Sequence, residues 1–278
     1  MTERSGSITR EDRLRELGLW PSWRWRGARG LGNASPAIVA SGAAATVLPD
    51  DVGASTRDSD ARAGAATRAV RIAALDWKSF AADVDACTAC KLCRTRNRSV
   101  PGVGDVNAEW LFVGEAPGAE EDARGEPFVG QAGRLLDNML ASLGLARGQA
   151  VYIANVLKCR PPGNRTPEPL EVEACLPYLD RQIALIRPRL IVALGRSAAT
   201  SLLQVDATIA SLRGRVHRYR DLPLIVTYHP AYLLRNLPDK AKAWEDLLFA
   251  RRTALAMGAV PPMYRPGGPP ARSFTEET

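Results

Sequence analysis

A chain of 278 residues, 46% of them hydrophobic, suffices for one large domain with extensions, and no run of 18 apolar residues offers a membrane span. Five cysteines, an odd number, argue against a disulfide framework, and the opening M-T-E-R-S-G-S-I-T-R-E-D-R lacks a secretory apolar segment, so a reducing cytoplasmic setting is expected. Thirty-seven Lys and Arg against 30 Asp and Glu leave a net charge of +7, compatible with a polyanionic partner and no proof of one.

Residues 1–26 read as a short amphipathic arm. Thr9 can cap a helix with Asp12 three residues on, Leu14, Leu17 and Trp20 fall near one face, and Pro21 stops it. Tryptophans beside arginines have the composition of a binding hot spot. Residues 27–70 are rich in Ala, Gly, Ser and Asp. Such a stretch buries too little surface to offset its ordering entropy, so a disordered linker is expected. Residues 71–259 form the main domain, and 260–278 an irregular tail.

The domain alternates strand and helix signals. Trp110 to Gly114 is a short buried strand, and Gln131 to Gly144 carries Leu135, Leu136, Met139, Leu140 and Leu143 at helical spacing. Val151 to Asn155 is a second strand, followed by a helix over residues 168–187. Leu190 to Gly195 and Leu222 to Tyr228 are two further strands, each with a helix after it. This pattern predicts a three-layer α/β/α sandwich with a central, mainly parallel four-stranded sheet. The strands run out at Glu115, Asn155, Gly195-Arg196-Ser197 and His229. Ligands of open α/β sheets bind beyond the carboxyl ends of the strands, so Glu115, Asn155 and His229 are expected to share one crevice. His217 reads as a surface residue.

Cys87 and Cys90 form C-T-A-C, a pair that can grip a metal or cluster from one turn. Cys159 and Cys175 close on the same centre if the chain folds back. Four thiolates suit tetrahedral zinc or an iron–sulfur cluster, and the spacing leaves both open. Cys93 is expected to be a spectator.

Several motifs in one order carry a resemblance: C-T-A-C-K-L, G-E-A-P-G-A-E-E-D-A-R-G-E-P-F-V-G-Q-A-G-R-L-L, Y-I-A-N-V-L-K-C-R-P-P-G-N-R-T-P, L-G-R-S-A-A and H-P-A-Y-L-L-R. From about Ala82 to Ala250 the chain resembles the family 4 uracil-DNA glycosylases, the iron–sulfur branch of the uracil-DNA glycosylase superfamily. The resemblance implies excision of uracil from DNA and a [4Fe–4S] cluster held by Cys87, Cys90, Cys159 and Cys175. Asn155 would read the base, its amide matching uracil N3–H and O4. His229 would donate to O2 as charge develops there. Phe128 would stack on the base, with Ala116 and Glu121 lining the pocket and Glu121 helping to exclude thymine. The family lacks the aspartate base of the best-known uracil glycosylases, and Glu115 or a main-chain group is the candidate for positioning water.

The H-P-A-Y-L-L-R loop looks like a minor-groove wedge, with Leu233 and Leu234 as candidates to fill the hole of the extruded nucleotide, one of the pair being expected in the core, and Arg235 on a phosphate. Arg160, Asn164, Arg165, Arg196 and Arg213 are further phosphate-contact candidates. The expected partners are uracil-containing DNA and, through the arm, a repair or replication protein, with the enzyme a monomer. Two alternatives come from other classes. A uracil-DNA binding protein without turnover would resemble a superfamily offshoot that traps DNA through a His in an insert between the third and fourth cysteines. The stretch from Cys159 to Cys175 has neither that His nor the insert. An iron–sulfur structural or redox module would not need Asn155, Phe128 and His229 together.

Overall fold

The computed structural model describes residues 55–258, with side chains from Gly64 onward. The arm at 1–26, the linker up to residue 54 and the tail at 260–278 lie outside the described residues. No described helix is long and apolar enough to cross a membrane.

Four strands make the centre of the sheet: β2 (Trp110–Gly114), β3 (Val151–Asn155), β4 (Leu190–Leu194) and β6 (Leu222–Thr227). The first three are buried at every position, and β6 from Leu224 onward. Continuous apolar runs of this kind belong to parallel strands covered on both faces. Two short edge strands, β1 (Val103–Gly104) and β5 (His217–Tyr219), extend the order to β1-β3-β2-β4-β6-β5. Both edges pair antiparallel. The expected four-stranded sheet is therefore the parallel centre of a mixed six-stranded one. The edges were missed because two- and three-residue strands carry no readable alternation. His217 is one cost of that omission: it is half-buried on β5, its Nε2 bonded to the Leu212 carbonyl.

Alternation along β2 splits the core into two layers. Leu111 and Val113 face one side, with α2 (Trp77–Asp85), α5 (Pro169–Ile186) and α6 (Arg196–Leu203). Trp110 and Phe112 face the other, with α4 (Gln131–Ser142) and α9 (Asp239–Ala256). Three short helices, α3 (Ala119–Arg124), α7 (Ile209–Leu212) and α8 (Pro230–Arg235), occupy connections.

The linker expectation needs correction over residues 55–70, which belong to helix α1 (Ser55–Ala73). Composition alone suggested disorder, but Ala and Arg are strong helix formers, and the helix docks by a few specific contacts. Ile72 is fully buried. Arg68 donates to the Ala174 carbonyl at 2.8 Å and lies 5.0 Å over the Tyr178 ring. Arg71 pairs with Asp83. A chain starting at Leu75 should therefore be less stable than one starting at Ser55 by at least about 2 kcal/mol, the low end for losing a buried isoleucine. Equal denaturation midpoints and slopes would show that α1 does not belong to the folded unit.

Candidate active site

The carboxyl ends of β2, β3, β4 and β6 open into a cavity of about 490 Å³. Its lining includes Glu115, Ala116, Glu121, Phe128, Asn155, Arg165, Arg196, His229 and Arg235. Residues up to 120 positions apart thus meet where parallel strands end.

Asn155 closes β3 opposite Gly114 of β2. It is 2% exposed, and its side-chain Oδ1 has no hydrogen-bond partner among the described residues. Such an atom costs roughly 1–3 kcal/mol of desolvation unless a ligand supplies a donor. Gly114 makes the room: a Cβ there would collide with Oδ1 and meet the Phe128 ring at 2.7 Å. Phe128 itself adopts a left-handed backbone at φ 56°. Arg147 braces that turn, donating to the Pro127 and Phe128 carbonyls at 2.9 Å each. Gly133 lets the Phe128 carbonyl approach α4, where a Cβ would collide with it. Nothing local to P-F-V-G announced Arg147 or Gly133 as supports.

His229 lies 5.5 Å from Phe128, ring centroid to centroid, stacked at 29°. The Ala231 N–H donates to its Nδ1 at 3.1 Å. Nδ1 is therefore the acceptor, and in the neutral ring the proton is on Nε2. Burial, reinforced by the Arg235 charge and opposed by Glu121, lowers the imidazole to about 4. Gly195, at φ +93°, sits close behind, where a Cβ would meet the His229 Cβ at 2.9 Å.

Burial raises the Glu115 carboxyl, and a hydrogen bond with Ser197 partly opposes that rise. Ser197, in the first turn of α6, also lines the cavity. The sequence marked it only as the residue after a strand end. Glu121 is used on both oxygens. Oε2 accepts from the Gly118 N–H and Oε1 from the Val129 N–H, each at 3.0 Å, so it clasps the two cavity loops together.

At the rim, the paired leucines separate. Leu233 is 1% exposed and packs with Tyr228 and Ala243, whereas Leu234 is 37% exposed. Of the two wedge candidates, Leu233 is the one in the core and its wedge assignment is corrected, because the inward face of α8 is core. Arg165 forks onto the buried Glu171 at 2.9 and 2.6 Å, and Arg196 pairs with the exposed Asp206 at 2.6 Å. Arg160 bonds Asn164 at 2.7 Å. Arg213 is committed to buried Asp246 at 2.6 Å. Arg235 makes no ion pair among the described residues.

Cys159 and Cys175 are buried, and Cys87 and Cys90 half-buried, all against one apolar layer. Cys175 feels the charge of Cys159 and Cys87, and Cys159 that of Cys90 and Cys87. Donors point at the sulfurs: Arg96 Nη1 to Cys159 at 2.9 Å, Arg68 Nη2 to Cys87 at 3.4 Å and the Lys158 N–H to Cys175 at 3.3 Å. Burial raises Cys159, Cys90 and Cys175, the last to about 12. For Cys87 burial acts upward too, but donors from Ala89, Tyr178 and Arg68 outweigh it and its thiol is lowered. Among the described residues no three His, Cys, Asp or Glu side chains form a group suited to a single metal ion. The donor set, four thiols met by N–H groups, fits a thiolate-held cluster.

The His229 assignment is open to direct measurement. Its ring resonances should keep their neutral positions from pH 8 down to about pH 5 and move only toward pH 4. A midpoint near the ordinary 6.5 would refute the desolvated, Nδ1-accepting ring.

A family model described as the uracil DNA glycosylase superfamily matches residues 101–248. The type-4 uracil-DNA glycosylase of Archaeoglobus fulgidus is 50% identical over 160 residues, 55% of this chain and 80% of that protein. The type-4 enzymes of Sulfurisphaera tokodaii and Thermotoga maritima are 48% and 46% identical, over 59% and 57% of this chain and 78% and 83% of theirs. With half the chain inside the family model and such relatives covered over most of their length, the chain belongs to the uracil-DNA glycosylase superfamily.

Proposed function

We propose that this protein hydrolyses the N-glycosidic bond of a flipped-out deoxyuridine in DNA, the first step of base excision repair. The observation that carries the reading is Asn155 Oδ1, buried in the cavity lining with no hydrogen-bond partner among the described residues. Uracil N3–H is the donor it lacks, and the amide NH₂ can give to O4. Cytosine reverses both groups, leaving buried atoms unpaired, and is rejected. Phe128 offers a face for the base. Glu121, held by two N–H donors, stiffens the wall that a thymine methyl would meet.

Cleavage breaks N1–C1′, the electron pair leaves with uracil, and the sugar takes on oxocarbenium character. Charge gathers on O2, where the neutral His229 donates through Nε2–H. A neutral donor avoids a full cation beside a carbocation-like sugar. Glu115, bonded to Ser197, orients the water that adds to C1′, and the water's proton goes to the carboxylate or to solvent. Arg235 meets a phosphate, and Leu234 fills the stack left by the extruded nucleotide. Arg165 and Arg196 reach phosphates only by sharing charge with the carboxylates that hold them.

Cys87, Cys90, Cys159 and Cys175 would hold a [4Fe–4S] cluster. When bound, it supplies four iron–thiolate links that cross-brace α5 and the segment after β3. Residues 1–26 are proposed as a contact for a repair or replication protein.

Asn155→Ala and His229→Ala should each lower uracil release about 10²-fold or more, as lost transition-state hydrogen bonds do. DNA affinity should change far less, because phosphates dominate it. Gly114→Ala should also lose activity, through its collision with Asn155, at a stability cost of about 1–3 kcal/mol. Wild-type rates in all three would sink the assigned cavity. With His229 neutral down to about pH 4, the profile of kcat/KM should carry no inflection near 6.5. A denaturant-stable DNA complex without uracil release would favour a binding protein instead.

A further inference from the structure

Arg68 lies on α1, outside residues 101–248 of the family match. One arm of its guanidinium donates to the Cys87 sulfur at 3.4 Å. The other donates at 2.8 Å to the carbonyl of Ala174, the neighbour of Cys175. A single planar fork thus ties together the two segments that carry the first and last of the four cysteines. Its face lies on Tyr178, which also bonds Cys87. Arg96 repeats the motif across the group, with Nη1 on the Cys159 sulfur at 2.9 Å and Nη2 on the Cys87 carbonyl at 3.4 Å.

Arginine suits both tasks. Its charge is permanent, its donors are fixed in a plane, and it stacks on aromatic rings. A four-iron cluster with four thiolates is an anion, and each added electron increases its charge. Hydrogen bonds to its sulfurs and nearby cations favour the reduced form.

We propose that Arg68 is a positioning residue for the cluster, by which α1 raises its reduction potential and shields Cys87. This inference rests on the cluster reading above. It concerns the one-electron couple of the bound cluster and assigns no electron transfer to base excision.

The test compares purified full-length wild type with Arg68→Met, Arg68→Lys and Arg71→Met by electrode titration. Methionine keeps most of the side-chain bulk without charge or donors. Arg71 pairs with Asp83, so Arg71→Met loosens the same helix without removing a donor to a cysteine. Arg68→Met should move the midpoint potential negative and speed iron loss to a chelator several-fold. Arg68→Lys should recover part of the potential, and Arg71→Met should leave it close to wild type. Uracil excision from short oligonucleotides should be unchanged in all three. A brown protein whose potential is the same in Arg68→Met, or shifts equally in Arg71→Met, overturns the proposal while leaving the cluster standing. A colourless, iron-free wild type with full activity removes the cluster reading and this inference with it.

Discussion

Parallel pairing of β2 with β3 is the constraint on which the site depends. It sets Gly114 opposite Asn155, so the only residue type without a side chain faces the one proposed to read the base. A shift of one residue would put Ala154 at the rim and turn Asn155 into the apolar layer. β4 and β6 continue the frame, and the Gly195 N–H donates to the Thr227 carbonyl at 2.8 Å, two residues before His229. The crevice is therefore a by-product of sheet register, with loop chemistry added to it.

The site stores energy that the core supplies. Asn155 Oδ1 goes without a partner among the described residues, Phe128 keeps a left-handed backbone, and burial lowers His229 out of the neutral range. Groups of this kind persist only where their surroundings over-determine them. Here Arg147, Gly133 and the Ala231 N–H do so, each from a different element. In the proposed reaction the same features that lower stability would spare a reorganisation, since donor and acceptor are already held in place.

The parallel centre of the fold was legible because W-L-F-V-G, V-Y-I-A and L-I-V-A-L are apolar without interruption. Asn155, His229 and Glu115 were legible because each follows such a run. What the sequence could not reveal depends on distant partners. Leu233 and Leu234 are chemically identical neighbours, and only the packing of α8 on α4 and α9 buries one and exposes the other. Arg165 and Arg196 read as phosphate-contact candidates, while Glu171 and Asp206 already hold them. Glu121 read as a pocket carboxylate, but its two backbone donors come from loops eleven residues apart. Helix α1 was hidden for a similar reason. Its composition is that of a linker, and its docking rests on Arg68, Arg71 and Ile72.

The cysteines connect to Asn155 by a short path. Cys159 comes four residues after Asn155, and the chain between them is pinned throughout. The Val156 and Leu157 N–H groups bond the Gly114 and Glu115 carbonyls, and the Lys158 N–H bonds the Cys175 sulfur. Lys158 is buried, which lowers its ammonium to about 8. Its Nζ donates to the Asn155 carbonyl at 2.7 Å and to Gln182 at 2.5 Å. Anchoring Cys159 and Cys175 to a common centre would hold α5 against this segment, and with it the angle at which Asn155 leaves β3. In the proposed reading, a centre held by these cysteines would then matter to base recognition with no part in the chemistry, by fixing the backbone of the residue whose side chain lines the cavity.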